Sequence, residues 1–235
     1  MIDNDLARLA RLPDTTIRAP AKPEVFARLE REWGVRLPET HVRALSLGNG
    51  MMTYSGYFRL FGVLGAPELD STVWNSDDCW KFAWPGPCRD FWCFAETAWG
   101  DQFAYHLESL RRGDQTVYEL DRMDMAPEAV ERSFEAFFAS HFVDQGEEPD
   151  EDLLIEARKT LGPLQAREHI VYRQSPLIDG DEVISNVRKM LARPAMIING
   201  DVASQVAAAP EGSQVKGFEP YEDEKGRLRH RFIWA

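Results

Sequence analysis

The chain is most regular from Phe91 to Leu107, FWCFAETAWGDQFAYHL. Phe91, Cys93 and Ala95 interleave with Trp92, Phe94 and Glu96, and Phe103, Tyr105 and Leu107 resume the period of two, which predicts a β-hairpin. Ala98 to Asp101 supplies the turn, because Gly100 tolerates positive φ and Asp101 can bond its own backbone. Strands this aromatic require cover on at least one face.

Upstream, Pro23 opens an amphipathic helix in which Val25, Phe26, Leu29 and Trp33 share a side and Gly34 is the stop. The residues before it are expected to form a loosely held arm. Pro38 begins a second short helix, with Gly48 as its left-handed cap and Asn49-Gly50 as the turn. A strand is predicted around 57–63, broken by Gly65, Ala66 and Pro67. Residues 68–90 hold Trp74, Asp77, Asp78, Trp80 and Trp84 without clear period and read as a long irregular insertion. After the hairpin, Leu110 to Asp114 reads as a turn and Thr116 to Asp121 as a further strand, giving a meander of at least three. Pro127 opens the strongest helical pattern, with Val130, Phe134, Phe137, Phe138 and Phe142 on one face as a lid for the sheet.

Residues 144–152, DQGEEPDED, carry no base and no aromatic, and predict a solvated linker between units spanning 1–143 and 153–235. In the second unit Leu153 to Leu161 is a helix stopped by Gly162, and Ile170 to Arg173 a short strand. Residues 187–198, VRKMLARPAMII, read equally as one bent strand or as a helix followed by a strand. Gly200-Asp201 is expected to cap a short helix through Val202, Gln205 and Val206, before a last hairpin from Gln214 to Tyr221 and Arg227 to Trp234. A unit of this size is marginal alone, so docking onto the first is expected.

Composition narrows the function. The 235 residues are 44% hydrophobic and 28% charged, as in ordinary globular proteins. The formal charge of −12 is shared by both units, with 22 acids to 15 bases up to Val143 and 17 to 12 beyond. Nucleic-acid binding is disfavoured, since phosphates need a basic face, whereas a basic partner suits the charge. No run approaches the ~20 apolar residues of a membrane span, and the N-terminus has no signal-like apolar core. Three cysteines, an odd number, suit free thiols in a cytoplasmic protein.

Candidate chemistry is sparse. Cys79, Cys88 and Cys93 lack the spacing of a zinc knuckle, the five histidines are scattered, and Gly48-Asn49-Gly50 lacks the Lys-Ser/Thr of a phosphate loop. The spacing calls for no cofactor and no catalytic set. The tryptophans stand out: Trp74, Trp80 and Trp84 around Asp77 and Asp78, with Trp99 at the hairpin tip, form either a partner-binding surface or a plug over the sheet.

Leu37-Pro38, then Leu45 and Asn49-Gly50, the hairpin with Gly100-Asp101, Val117-Tyr118, and Ser133-Phe134-Glu135-Ala136-Phe137 follow one another in an order that resembles the SUKH superfamily over about residues 20–143. The resemblance implies an α+β fold, a mixed or antiparallel sheet flanked by helices, here with a smaller α+β unit that it leaves unassigned. It also implies a non-enzymatic binding role. Many bacterial members are immunity proteins that neutralise a protein toxin, often a nuclease. The insertion at 68–90 and the C-terminal unit depart from a single-domain member. The expectation is therefore an immunity-type protein for a protein toxin or effector, with an intracellular scaffold or regulatory protein of the same fold as the alternative.

Overall fold

Seven strands lie side by side in the order in which the chain makes them. The computed structural model describes residues 2–66, 68–84 and 86–235, so Pro67 of the predicted break lies outside the described residues. Helix α1 (Ile2–Leu9) leads to β1 (Thr16–Ile17), α2 (Pro23–Trp33), α3 (Glu39–Leu45), β2 (Met51–Thr53) and β3 (Phe58–Leu60). A short α4 (Ser71–Trp74) precedes the hairpin of β4 (Phe91–Thr97) and β5 (Gln102–His106). Then come α5 (Leu107–Arg111), β6 (Val117–Leu120), β7 (Pro127–Glu131) and α6 (Phe134–Phe137). A π-helical stretch, Phe138–Asp144, and α7 (Gln145–Glu147) carry α6 onward. The antiparallel meander β1 to β7 is thus the sheet that the hairpin predicted, widened on both sides.

Both faces of that sheet are covered. Trp92, Phe94, Phe103, Tyr105 and Val117 face a helical layer that includes Leu6, Leu29, Leu45, Phe134 and Phe138. Cys93 and Ala104 face the opposite way, into a second cluster with Trp80, Trp84, Met196 and Ile197. A β-bulge between Cys93 and Ala95 breaks the alternation: Phe94 and Ala95 both join the helical cluster, and Glu96 is delivered to the other face.

The remaining chain is built into these layers. Helix α8 (Asp152–Leu161), β8 (Glu168–Tyr172) and β9 (Val187–Leu191) are followed by α9 (Ala192–Ala208), β10 (Val215–Glu222) and β11 (Leu228–Trp234). Strands β8–β9 and β10–β11 form two separate antiparallel pairs. Leu154, Ala157, Leu164, Ile170 and Val187 belong to the cluster of the helical layer, and Met196, Ile197 and Ala203 to that of the tryptophans. Residues 153–235, expected as a unit of their own, therefore share the cores of residues 1–143.

Several local expectations are corrected, each for a physical reason. The predicted linker 144–152 is seated: Gly146 packs so tightly that a Cβ there would lie 2.6 Å from Thr53 Oγ1. The N-terminal arm is anchored, because Ile2, Leu6 and Leu9 form one buried stripe of α1. The helix predicted from Pro127 begins at Phe134, where Ser133 takes an extended conformation and its Oγ accepts from the Ala136 N–H at 3.2 Å. Leu110 lies in a short helix rather than a turn. Gly200 and Asp201 lie inside α9 rather than capping it; a Cβ on Gly200 would sit 2.9 Å from the Ala83 backbone. That glycine serves close approach between α9 and the tryptophan segment.

Candidate binding surface

The tryptophan segment is a wall rather than an open face. Asp70 starts it by capping α4, its Oδ1 accepting from the Thr72 N–H at 2.9 Å. Trp74 is half-buried, and its Nε1 donates to Gln102 Oε1 at 2.7 Å. Its ring lies 5.7 Å from both Phe61 and Trp80. Trp80 and Trp84 are buried against α9. Trp99, at the tip of the β4–β5 hairpin, stacks on Tyr172 with centroids 4.9 Å apart, and the Arg122 guanidinium lies 5.1 Å from its ring. An exposed cluster of Trp74, Trp80, Trp84 and Trp99 is therefore absent: three are fully covered, and the cover is supplied by residues 172–203 of the same chain.

Asp77 and Asp78 remain at the surface. Asp78 keeps 80% of its side chain exposed, with Arg227 Nη1 3.7 Å from Oδ1. Behind them Arg193 Nε donates to the Cys79 carbonyl at 2.9 Å, and Lys81 Nζ donates to Asn75 Oδ1 at 2.8 Å and to the Phe91 carbonyl at 2.6 Å. These two donors, Lys81 buried and Arg193 exposed, fix the loop that presents the two carboxylates. A second acidic area lies on β6 and β7, where Glu119 directly faces Glu128. Burial, followed by the charges of Asp101 and Asp121, pushes the Glu119 carboxyl up to about 7.

Charged residues that periodicity passes over tie the layers together. Arg59 Nε lies 3.0 Å from Glu96 Oε1, with both side chains out of contact with water. His169 Nε2 lies 3.1 Å from Glu96 Oε2, and Gln102 Nε2 donates to that oxygen at 3.0 Å. A carboxylate only accepts, so the His169 Nε2 carries the proton in this contact. Burial alone would push the Glu96 carboxyl up, but the charges of Arg59 and His169 outweigh it and hold it below the usual range. Burial also holds His169 down, against the pull of Glu96. Arg59 further donates to the Thr97 carbonyl at 3.2 Å and to the Glu168 carbonyl, so β3, β4 and β8 meet at one cation. The signal available in sequence was a glutamate within FWCFAET and an arginine within YFRLFG, both polar residues in apolar strands.

The cysteines are buried with free thiols, and burial pushes Cys79 up to about 11 and Cys93 up to about 12. Their thiolates are thereby disfavoured at neutral pH. Among the described residues no group of His, Cys, Asp or Glu is arranged to hold a metal ion.

The architecture defines an α+β protein whose antiparallel sheet is covered by helices on one face and by its own C-terminal segment on the other. The model of the SMI1 / KNR4 family (SUKH-1) matches residues 20–140, and the chain belongs to this family. The crystal structure of Atu4351 from Agrobacterium tumefaciens has a similar fold, with a TM-score of 0.54 at 18% identity, over 99% of this chain and 98% of that one. No curated protein matches the sequence. The structural likeness spans the C-terminal segment as well as the part matched by the family model.

Proposed function

We propose that this chain is a non-enzymatic immunity-type protein of the cytoplasm that binds and neutralises a protein toxin or effector. The observation that carries the reading is membership of the SUKH-1 family, which is generally linked to toxin partners. The charge of −12 and the exposed Asp77 and Asp78 favour a basic partner, because complementary charge accelerates encounter. The tryptophans take part indirectly, as the rigid backing of that acidic loop. Among the described residues no helix is long and apolar enough to cross a membrane.

The test is co-expression with the protein encoded by the neighbouring gene. Relief of its toxicity and recovery of a complex support the proposal. Unrelieved growth arrest with no complex overturns it, and isolation of the gene among metabolic genes favours the scaffold reading instead. Within a complex, Asp77→Lys with Asp78→Lys should slow association about tenfold or more at low salt, with the effect fading as salt rises. An unchanged rate constant removes this loop from the interface.

A further inference from the structure

The C-terminal hairpin is held by one edge only. The Asp201 carboxylate accepts from the His230 N–H at 2.7 Å and from Arg229 Nε at 2.6 Å. Gln205 Oε1 accepts from the Phe232 N–H at 2.7 Å, and its Nε2 donates to the His230 carbonyl at 2.9 Å. The outer edge of β11 is thus closed by α9, while β10 stands away from it. Between them lies a groove of about 970 Å³.

The groove has an apolar floor and a cationic wall. Ile198, Val202 and Val206 line it from α9 at helical spacing, joined by Phe232 and Trp234 of β11. Phe218 stands on β10 with 47% of its surface exposed although its ring stacks on His230 at 4.9 Å. On the facing strands Arg188 pairs in register with Val171, which puts Arg173 on the same face as its diagonal neighbour; such neighbours lie roughly 7–8 Å apart. Neither arginine meets a carboxylate among the described residues. Lys216 also lines the groove, with Asp179 and Glu211 as its carboxylates. Three cations to two acids is a local reversal in a chain with 27 Lys and Arg to 39 Asp and Glu.

The geometry points to a docking site for an extended segment of a protein partner that carries an aromatic or branched aliphatic anchor beside carboxylates. The anchor fits the α9 floor next to Phe218, and the carboxylates meet Arg173 and Arg188, for which the guanidinium fork is well shaped. The lining lies outside residues 20–140, so the family match does not assign it. The site is distinct from the acidic loop at Asp77 and Asp78 and takes the opposite charge.

The full chain would be used to select from a phage-displayed library of random twelve-residue peptides, with the Arg173→Glu, Arg188→Glu double variant as the comparison. The result expected is enrichment of peptides with Asp or Glu flanking Phe, Trp, Leu or Ile, bound at least about tenfold more weakly by the double variant. Phe218→Ser, at an exposed position, should weaken the same peptides. No enrichment, enriched peptides without carboxylates, or equal binding by the double variant overturns the inference. Protection against the neighbouring toxin is measured on the same proteins. Protection without peptide selection rejects the groove alone, and selection without protection rejects only the immunity reading.

Discussion

Acid should weaken this fold measurably through His41. Its ring stacks on Phe134 with centroids 4.1 Å apart and lies edge-on to Phe94, and Nδ1 is 3.1 Å from the Tyr105 hydroxyl. Burial pushes its pKa down to about 3, whereas an unfolded histidine titrates near 6.5. The native state therefore excludes a proton that the unfolded state binds, so the stability is complete above about 6.5 and is lost as pH falls from there toward the folded value. At pH 5 the unfolded chain gains about 1.5 pH units of protonation free energy, or about 2 kcal/mol. For a chain of this size that is about 4–8 °C in Tm.

His41→Phe isolates the effect, because it keeps the stack on Phe134 and cannot titrate. Loss of the partner of the Tyr105 hydroxyl costs about 1–2 kcal/mol, but equally at both pH values, so it cancels in the difference. Urea unfolding at pH 7 and pH 5 should show the variant losing about 2 kcal/mol less than the parent. His141 and His169 are also held low by burial, and their contributions persist in both proteins. Equal losses in parent and variant would refute the assignment of a neutral, proton-excluding His41.

Three further outcomes follow from the buried contacts. Glu96→Gln strands Arg59 in the interior and should cost about 3–5 kcal/mol in chemical denaturation, part of which returns in the Glu96→Gln, Arg59→Met double variant; a loss below about 1 kcal/mol would show that the pair is not desolvated. A fragment ending at Val143 uncovers Trp80, Trp84 and Trp99, so it should fail to unfold cooperatively by circular dichroism, and limited proteolysis of the full chain should not cut promptly within 144–152. Cys79, Cys88 and Cys93 should resist iodoacetamide at pH 8 until denaturant is added, with mass spectrometry counting the labels.

Local pattern revealed the parts of the fold whose partners lie close in sequence. The β4–β5 hairpin, the strand at 117–120, the helix from Pro23 and the last hairpin all stand where period and turn chemistry put them. The pattern misled where two periods overlap: Val130 fits a helical stripe with Phe134, yet Pro127–Glu131 is an edge strand and Ser133 marks the true helix start. Residues 187–198 fit neither the bent strand nor the helix-then-strand expectation: they are a strand followed by a helix, and Pro194 falls in the first turn of α9, where a missing N–H is harmless. The segment 144–152 misled for another reason. Its acids other than the half-buried Glu151 are exposed as composition predicts, but Arg8 binds Asp144 and Glu147 from the far end of the chain, and Gly146 provides the contact.

The tryptophans show the same limit acting on the site. An aromatic residue without periodicity has either solvent or a distant segment over it, and sequence distance hides which. Here the cover of Trp80 and Trp84 comes from Met196, Ile197 and Ala203, more than a hundred residues away. With helices on one face of the sheet and the α9 layer on the other, the broad faces are occupied by the chain itself. On the proposed function, recognition falls to what the added segment leaves at the rim: the acidic loop at Asp77 and Asp78, braced by Arg193 from α9, and the cationic groove proposed between α9 and the last hairpin. Both surfaces depend on α9, so a change that unseats this helix, such as Gly200→Val against the Ala83 backbone, should damage the two together. Substitutions at Arg173 and Arg188 should damage only the groove.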